Sequence, residues 1–226
     1  MKRFWGFIML ISMSAQAQLH EIGFSGGSAT LISDIGQDDY LIPEGYFISG
    51  LYRRNTNEWI SFTFRFSYGT MSDDDALSES AGRRLRAWRS DITVIGGDIM
   101  LEYNFLPLNP YKYPHGVWVT PYLGIGAGYH TSFISAYSPS TAGISDIQNT
   151  FYLPMAFGIK FSFRNRMKII WELGPRYSFS DNMEGSLRLD NSSGPLSDRR
   201  GNDWYIYNGL SVTFGWGKLP CYLNTF

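Results

Sequence analysis

The sequence has 226 residues, 44% of them hydrophobic and 17% aromatic, with a formal net charge of −1. That balance offers no basic footprint for nucleic acid, and the one cysteine, Cys221, excludes an internal disulfide framework. Beyond the N-terminus no stretch approaches about 18 uninterrupted apolar residues, so the chain offers no transmembrane helix.

The chain opens with a positive pair, Lys2 and Arg3, then an apolar run from Phe4 to Met13. Ala15-Gln16-Ala17 places small residues where a signal peptidase reads, so residues 1–17 are expected to be a secretory signal. No cysteine follows the cleavage site, which argues against a lipoprotein. With Lys2 and Arg3 removed, 17 basic side chains face 20 acidic ones, a net of −3.

From there the chain alternates. Leu19–Ser28 is the first expected strand, followed by Tyr46–Arg54, Trp59–Thr70 and Ile92–Phe105. Val117–His130, Thr150–Phe163, Lys168–Ser180 and Trp204–Trp216 complete a set of eight. The third shows the pattern best. Ile60, Phe62, Phe64, Phe66 and Tyr68 share one face, while Ser61, Thr63, Arg65, Ser67 and Gly69 share the other. A period of two puts successive side chains on opposite sheet faces. A soluble sandwich would bury the first face; a membrane barrel would turn it to lipid and the second to its lumen.

The connectors choose between them. Ala29–Gly45, Met71–Asp91, Thr131–Asn149 and Asp181–Asp203 are long and polar. Asn55–Glu58 and Arg164–Met167 are tight turns, and Leu106–Gly116 lies between. Long on one side and short on the other is the outer-membrane pattern, with both termini in the periplasm. The expected fold is therefore all-β: an eight-stranded antiparallel transmembrane outer-membrane barrel with long extracellular loops and short periplasmic turns. It spans residues 18–216, with a periplasmic tail over 217–226.

No charge interrupts the outward rows of strand six (Phe151 to Phe163) or strand seven (Ile169 to Phe179), whereas Asn208 breaks the row of strand eight. Tyr68, Tyr129 and Trp204 at one end, with Tyr103, Phe105 and Phe163 at the other, suit headgroup belts. Eight strands enclose a lumen just wide enough for side chains. The parity sends the acids Glu21, Asp98, Glu102 and Glu172 and the bases Arg53, Arg65, Lys160 and Arg176 inward. Four against four predicts a charge-paired plug. Inward Gly124, Gly126, Gly128, Gly158 and Gly174 leave room for large neighbours.

The last strand carries Tyr207-Asn208-Gly209-Leu210-Ser211-Val212-Thr213-Phe214. Tyr207, Gly209, Val212 and Phe214 match the spacing of the final-strand signal read by the barrel assembly machinery, although ordinary alternation produces half of it. Gly215 to Phe226 continue beyond it, with Pro220 and Cys221 in the tail. An odd cysteine in an oxidising compartment is either a free thiol or a bond to another chain.

Three constellations could carry chemistry. His130-Thr131-Ser132 is similar to the His-x-Ser of outer-membrane lipid A deacylases, but Gly143 and Ile144 stand where the orienting acid belongs, and parity points His130 inward. Asp73-Asp74-Asp75 with Glu79 lacks the glycine and alternating ligands of a calcium loop. With Arg83, Arg84, Arg86 and Arg89 following, it reads as a self-neutralising exposed loop. Gly124-x-Gly126-x-Gly128 lies within a strand and precedes no helix, so it is no phosphate cradle. No cofactor or metal is expected.

More specific than the barrel pattern are Leu19-His20-Glu21-Ile22-Gly23-Phe24-Ser25-Gly26-Gly27-Ser28 with Asp34-Ile35-Gly36, then Ser67-Tyr68-Gly69, Glu102-Tyr103-Asn104-Phe105 and Thr120-Pro121-Tyr122-Leu123-Gly124-Ile125-Gly126. Together they resemble the PorG family, the outer-membrane barrel subunits of the type IX (Por) secretion system of Bacteroidetes. The resemblance runs across the mature chain and is strongest in its first half. It implies a non-enzymatic scaffold that partners the periplasmic ring of the lipoprotein PorK and PorN, with outer-membrane lipid around it. It implies no catalytic residues. If a ring docks on the periplasmic side, Cys221 is placed to contact it. A lipid-modifying enzyme and a surface adhesin-like barrel are the competing readings.

Overall fold

The computed structural model describes residues 19–32, 43, 45–77, 81–107, 117–138, 141–163, 166–180, 183 and 203–217. The expected signal peptide, Glu79, His115 and Cys221 lie outside the described residues.

Eight strands follow in chain order: β1 Leu19–Ile32, β2 Gly45–Asn55, β3 Ile60–Asp74, β4 Arg89–Asn104, β5 Val117–Ser138, β6 Thr141–Phe163, β7 Met167–Ser178 and β8 Trp204–Trp216. Each pairs antiparallel with the next, and β8 pairs with β1, so the sheet closes into a barrel. Closure leaves no sheet edge, which lipid requires because it cannot hydrogen-bond a free backbone group. Pro154 of β6 has no N–H to give, and the ladder to β5 skips Leu153 and Pro154. Between β3 and β4 lie a 3₁₀ turn, Asp75–Leu77, and one short helix, α1 (Ala81–Arg86).

Burial alternates along the strands as the sequence predicts. On β3, Ser61, Thr63, Arg65 and Ser67 are buried while Phe62, Phe64, Phe66 and Tyr68 are exposed. Phe157, Trp171, Leu173 and Phe214 continue the exposed apolar band around the wall. Asn208, the one polar residue in its row, accepts a hydrogen bond from the Trp171 indole at 3.1 Å. Inside, Gly128 gives way to the ring of Tyr152, where an added Cβ would lie 2.3 Å from Cζ. Gly158 does the same for Tyr122.

The strands run further than expected at the end opposite the tight turns, here called the loop end. β1 continues to Ile32, β3 to Asp74 and β5 to Ser138, while β4 begins at Arg89 and β6 at Thr141. The stretch Thr131–Asn149, expected to be a long loop, is a strand pair in which Ser138 lies opposite Thr141. About 9–11 residues cross the hydrocarbon core; β5 has 22 and β6 has 23, so this hairpin stands well clear of it.

Polarity inverts where the wall leaves the membrane. Outward on β3, Phe62, Phe64, Phe66 and Tyr68 give way to Thr70 and Ser72, while inward Met71 replaces the hydroxyls and Arg65. On β4 the outward row passes through Thr93 and Asp91 to Arg89, and the inward row through Val94 and Ile92 to Ser90. Ala29, Leu31, Phe47, Met71, Ile92 and Ile134 thus form a buried apolar core inside the loop end, capped by Met183 and Tyr205, with Trp88 packed against it. This upper section is built as a soluble barrel is.

The same substitution should therefore have opposite consequences at two heights. Phe157→Arg, in the lipid-facing band, should cost about 2–4 kcal/mol of barrel stability in urea titrations from phospholipid vesicles. Ser145→Arg, outward on the extension, should leave the midpoint unchanged.

Candidate functional site: the ion-paired lumen

All eight charges expected inside are there. Glu21, Arg53, Arg65, Asp98, Glu102, Lys160, Glu172 and Arg176 are each buried. A ninth, Lys168, is also buried and pairs with Glu21. Among these nine the expected four-against-four balance is corrected to five bases and four acids; Asp73, Asp75 and Asp203 are buried as well, nearer the loop end. Lys168 stands at the first position of the expected seventh strand, beside the turn, where parity alone would have sent it inward next to outward Ile169.

The charges form two connected tiers. Near the tight turns, Arg53 donates to Glu21 at 3.3 Å and to Glu102 at 3.0 Å, while its Nε donates to Thr63 at 3.0 Å. Glu21 also accepts from Asn55 at 2.6 Å and from Thr213 at 3.1 Å. Glu102 accepts from Thr63 and, at 2.6 Å, from Lys160, whose ammonium reaches Asn104 at 2.8 Å. Three cations thus share two carboxylates, and hydroxyl and amide side chains take up remaining positions.

Higher in the lumen, Arg65 grips Glu172 with both terminal nitrogens, one contact at 2.8 Å. Bidentate pairing fixes both planes. Arg176 lies 3.6 Å from Asp98, donates to the carbonyl of Gly174 at 2.9 Å, and lies over the ring of Tyr207 with its carbon 4.0 Å from the centroid. Tyr152 donates to Asp98 at 2.9 Å. Tyr122 ties the tiers together: its hydroxyl donates to Glu172 at 2.6 Å, and Lys160 lies 4.2 Å from its ring centroid. Every strand contributes a member. Arg53, Arg176, Tyr122, Tyr152, Tyr205, Tyr207 and Lys160 are all less than 2% exposed, so side chains fill the lumen.

Arg65 and Asp98 are register partners on neighbouring strands, yet Arg65 closes its ion pair across the barrel with Glu172 on β7. The network therefore braces opposite walls.

His130, the histidine of the deacylase-like triplet, faces the lumen. Its Nδ1 lies 2.9 Å from the Tyr205 hydroxyl and its ring stacks on Tyr152, away from any lipid surface. Ser132 is buried on the same face. The Asp73–Asp75 run corrects an expectation: it is not an exposed loop. Asp73 and Asp75 are buried, and Asp75 accepts the backbone N–H of Trp88 at 3.1 Å. These acids end β3 and bind its connector to the wall. Of the arginines that follow, Arg89 forms an exposed pair with Asp91 at 3.3 Å. On β8, Tyr207 faces inward and Phe214 outward, and Val212 and Phe214 lie opposite Phe24 and Ile22 of β1. Among the described residues no cluster of three metal ligands occurs.

A closed antiparallel wall of eight strands, apolar outside, with charge inside, defines a transmembrane barrel of the outer-membrane type. The chain belongs to the family described as "Domain of unknown function (DUF6089)", whose profile matches residues 2–225. No curated protein matches it in sequence. Among solved structures it is similar to Neisserial surface protein A, at 12% identity and a TM-score of 0.51, covering 87% of this chain and 97% of that one. It is also similar to a major outer membrane protein from Thermus thermophilus, at 12% identity and a TM-score of 0.50, covering 89% and 100%. At such identities the likeness is one of fold.

Arg65→Ala should leave the buried Glu172 carboxylate without its cation and cost about 3–5 kcal/mol in vesicle unfolding. The double variant Arg65→Met with Glu172→Leu should lose less than either single truncation, because no charge is stranded. The intact protein should show no steady conductance in planar bilayers.

Proposed function

We propose that this barrel is a non-enzymatic outer-membrane subunit of the type IX protein secretion machinery, anchoring or organising the periplasmic PorK/PorN ring. The observation that carries the reading is the filled lumen. A barrel with no conduit acts through its surfaces and ends, as a scaffold does. The sequence resemblance supplies the particular machine. The hydrolytic pair that an enzyme reading would need, His130 and Ser132, faces the lumen rather than lipid, which favours a scaffold.

β1 begins and β8 ends at the tight-turn end. Short connectors there and long ones opposite support a periplasmic position for both termini. The tail over residues 217–226, with Cys221, then emerges on the side where a ring would sit, and Cys221 forms or flanks the contact.

Capture of the tagged chain from mild-detergent envelope extracts should bring down both ring proteins. Deleting residues 218–226 should reduce that capture while heat-modifiable migration on gels persists. On non-reducing gels, a higher band lost with reductant and with Cys221→Ser would place the cysteine in the contact. Lipid A mass spectra should be identical with and without the protein; a lost acyl chain would overturn the scaffold in favour of an enzyme.

A further inference from the structure

Just above the lipid-facing band, the outer wall of β2–β5 carries a groove of about 420 Å³. Tyr46, Thr70, Thr93 and Phe133 are successive register partners across four strands. They make one row running ring, hydroxyl, hydroxyl, ring. Three strand spacings separate the two rings, about 14 Å. The next outward row up is Ser72, Asp91 and Ser135. The rings form the side walls and the hydroxyls and Asp91 the floor. Both rings are exposed.

The floor is set up to hydrogen-bond something. Asp91 Oδ1 accepts from Ser72 at 2.6 Å and from Arg89 at 3.3 Å; Oδ2 has no partner among the described residues. The hydroxyls of Thr70, Thr93 and Ser135 likewise have none. In the row beneath, by contrast, Thr131 of β5 donates to Asn149 at 2.7 Å. Exposed rings beside free hydroxyls and a carboxylate match the two kinds of surface a pyranose offers: a flat C–H face and a rim of hydroxyl donors and acceptors.

Height identifies the source. The outward row beneath is Ile48, Tyr68, Ile95 and Thr131, apolar over its first three strands and continuous with the apolar band below. One row is two residues, about 5 Å along the membrane normal for a strand tilted as these barrels are. The groove therefore lies at headgroup depth. Asp91 lines the groove and is paired with Arg89 beside it, so the floor offers no net positive charge to hold a phosphate. We propose that this groove holds a neutral sugar unit in the headgroup of an outer-leaflet glycolipid. The assignment rests on the reading that the loop end faces outward.

The test uses the full chain in phosphatidylethanolamine nanodiscs doped with a neutral monoglycosyl diacylglycerol, with bound glycolipid read by native mass spectrometry. Glycolipid should be retained in preference to phosphatidylethanolamine. Tyr46→Ala and Phe133→Ala should each weaken retention about tenfold, the effect of one lost ring contact. Asp91→Asn, which keeps the shape, should weaken it as well, while Leu210→Ala, outward on β8 away from the groove, should not. Equal retention in all variants overturns the proposal. So does groove-dependent binding of the free methyl glycoside of that sugar as strong as that of the intact glycolipid, which would make the occupant a soluble glycan. Sidedness is read separately, from labelling of Ser145→Cys in a Cys221→Ser background on intact cells with an impermeant maleimide. Labelling together with unaltered retention removes the groove alone. Absence of labelling removes the outward orientation and the groove with it.

Discussion

Mutual neutralisation of charges shut inside a wall that cannot open is the interaction on which this structure depends. The wall must close because lipid pairs with no backbone group, and at eight strands the closed space admits side chains and little else. Charges placed there face a large desolvation cost unless each finds its counterpart with good geometry. The solution is a mesh rather than a set of isolated pairs. Arg53 serves two carboxylates, Glu102 serves two cations, and Tyr122 joins the tiers. Because Arg65 on β3 meets Glu172 on β7, the mesh holds distant walls at a fixed separation. The weakest tie is Arg176 to Asp98 at 3.6 Å, and there a backbone carbonyl and the Tyr207 ring share the guanidinium.

One continuous sheet serves two solvents. In the hydrocarbon band the outer rows are aliphatic and aromatic, and the inner rows polar. Above it the rows exchange character, and Leu31, Phe47, Met71 and Ile134 pack as a water-soluble core would. The strands need no break to make this change, since a period of two persists through it. What changes is which face the surroundings reward. The extension is therefore independently stabilised by apolar burial, while the section below it relies on ion pairing. The outer surface of the extension, freed from lipid, is where hydroxyls and Asp91 stand exposed beside Tyr46 and Phe133.

This inversion explains what the sequence disclosed and what it hid. Alternation located eight strands and their order, and parity sent Glu21, Arg53, Arg65, Asp98, Glu102, Lys160, Glu172 and Arg176 inward. Trp204–Trp216 of β8 was legible to the residue, because its outward row, Asn208 apart, stays apolar to its end. β5 was not. From Thr131 to Tyr137 the apolar inward residues are Ile134 and Ala136, while the outward row mixes Thr131 and Ser135 with Phe133. A rule that sends apolar side chains to lipid ends the strand at His130. Asp73 and Asp75 mislead for a related reason: a run of three acids suggests water, but Asp73 falls on the inward face of β3 and Asp75 bonds to the backbone of Trp88. Partners within the lumen were hidden altogether. The choice of Glu172 over Asp98 by Arg65 depends on how the closed wall staggers its strands, and no local pattern encodes that.

The β5–β6 hairpin also divides the chain by sequence separation. Ser138 lies opposite Thr141, and the pairs then zip outward through Ala136–Ile144 to Val117–Phe163. Each new pair shortens the loop that the next must close. The β1–β8 ladder has no such start: its pairs run from Ile32–Trp204 to His20–Trp216, joining the two extremities of the barrel at once. Closing so long a loop carries its entropy cost before any neighbouring contact offsets it. Loop-closure entropy thus favours the local hairpin over the sealing of the first strand to the last. Glu21 and Lys168 can meet only when the circle is nearly complete, so the lower tier of charge gains its final partners as the wall closes.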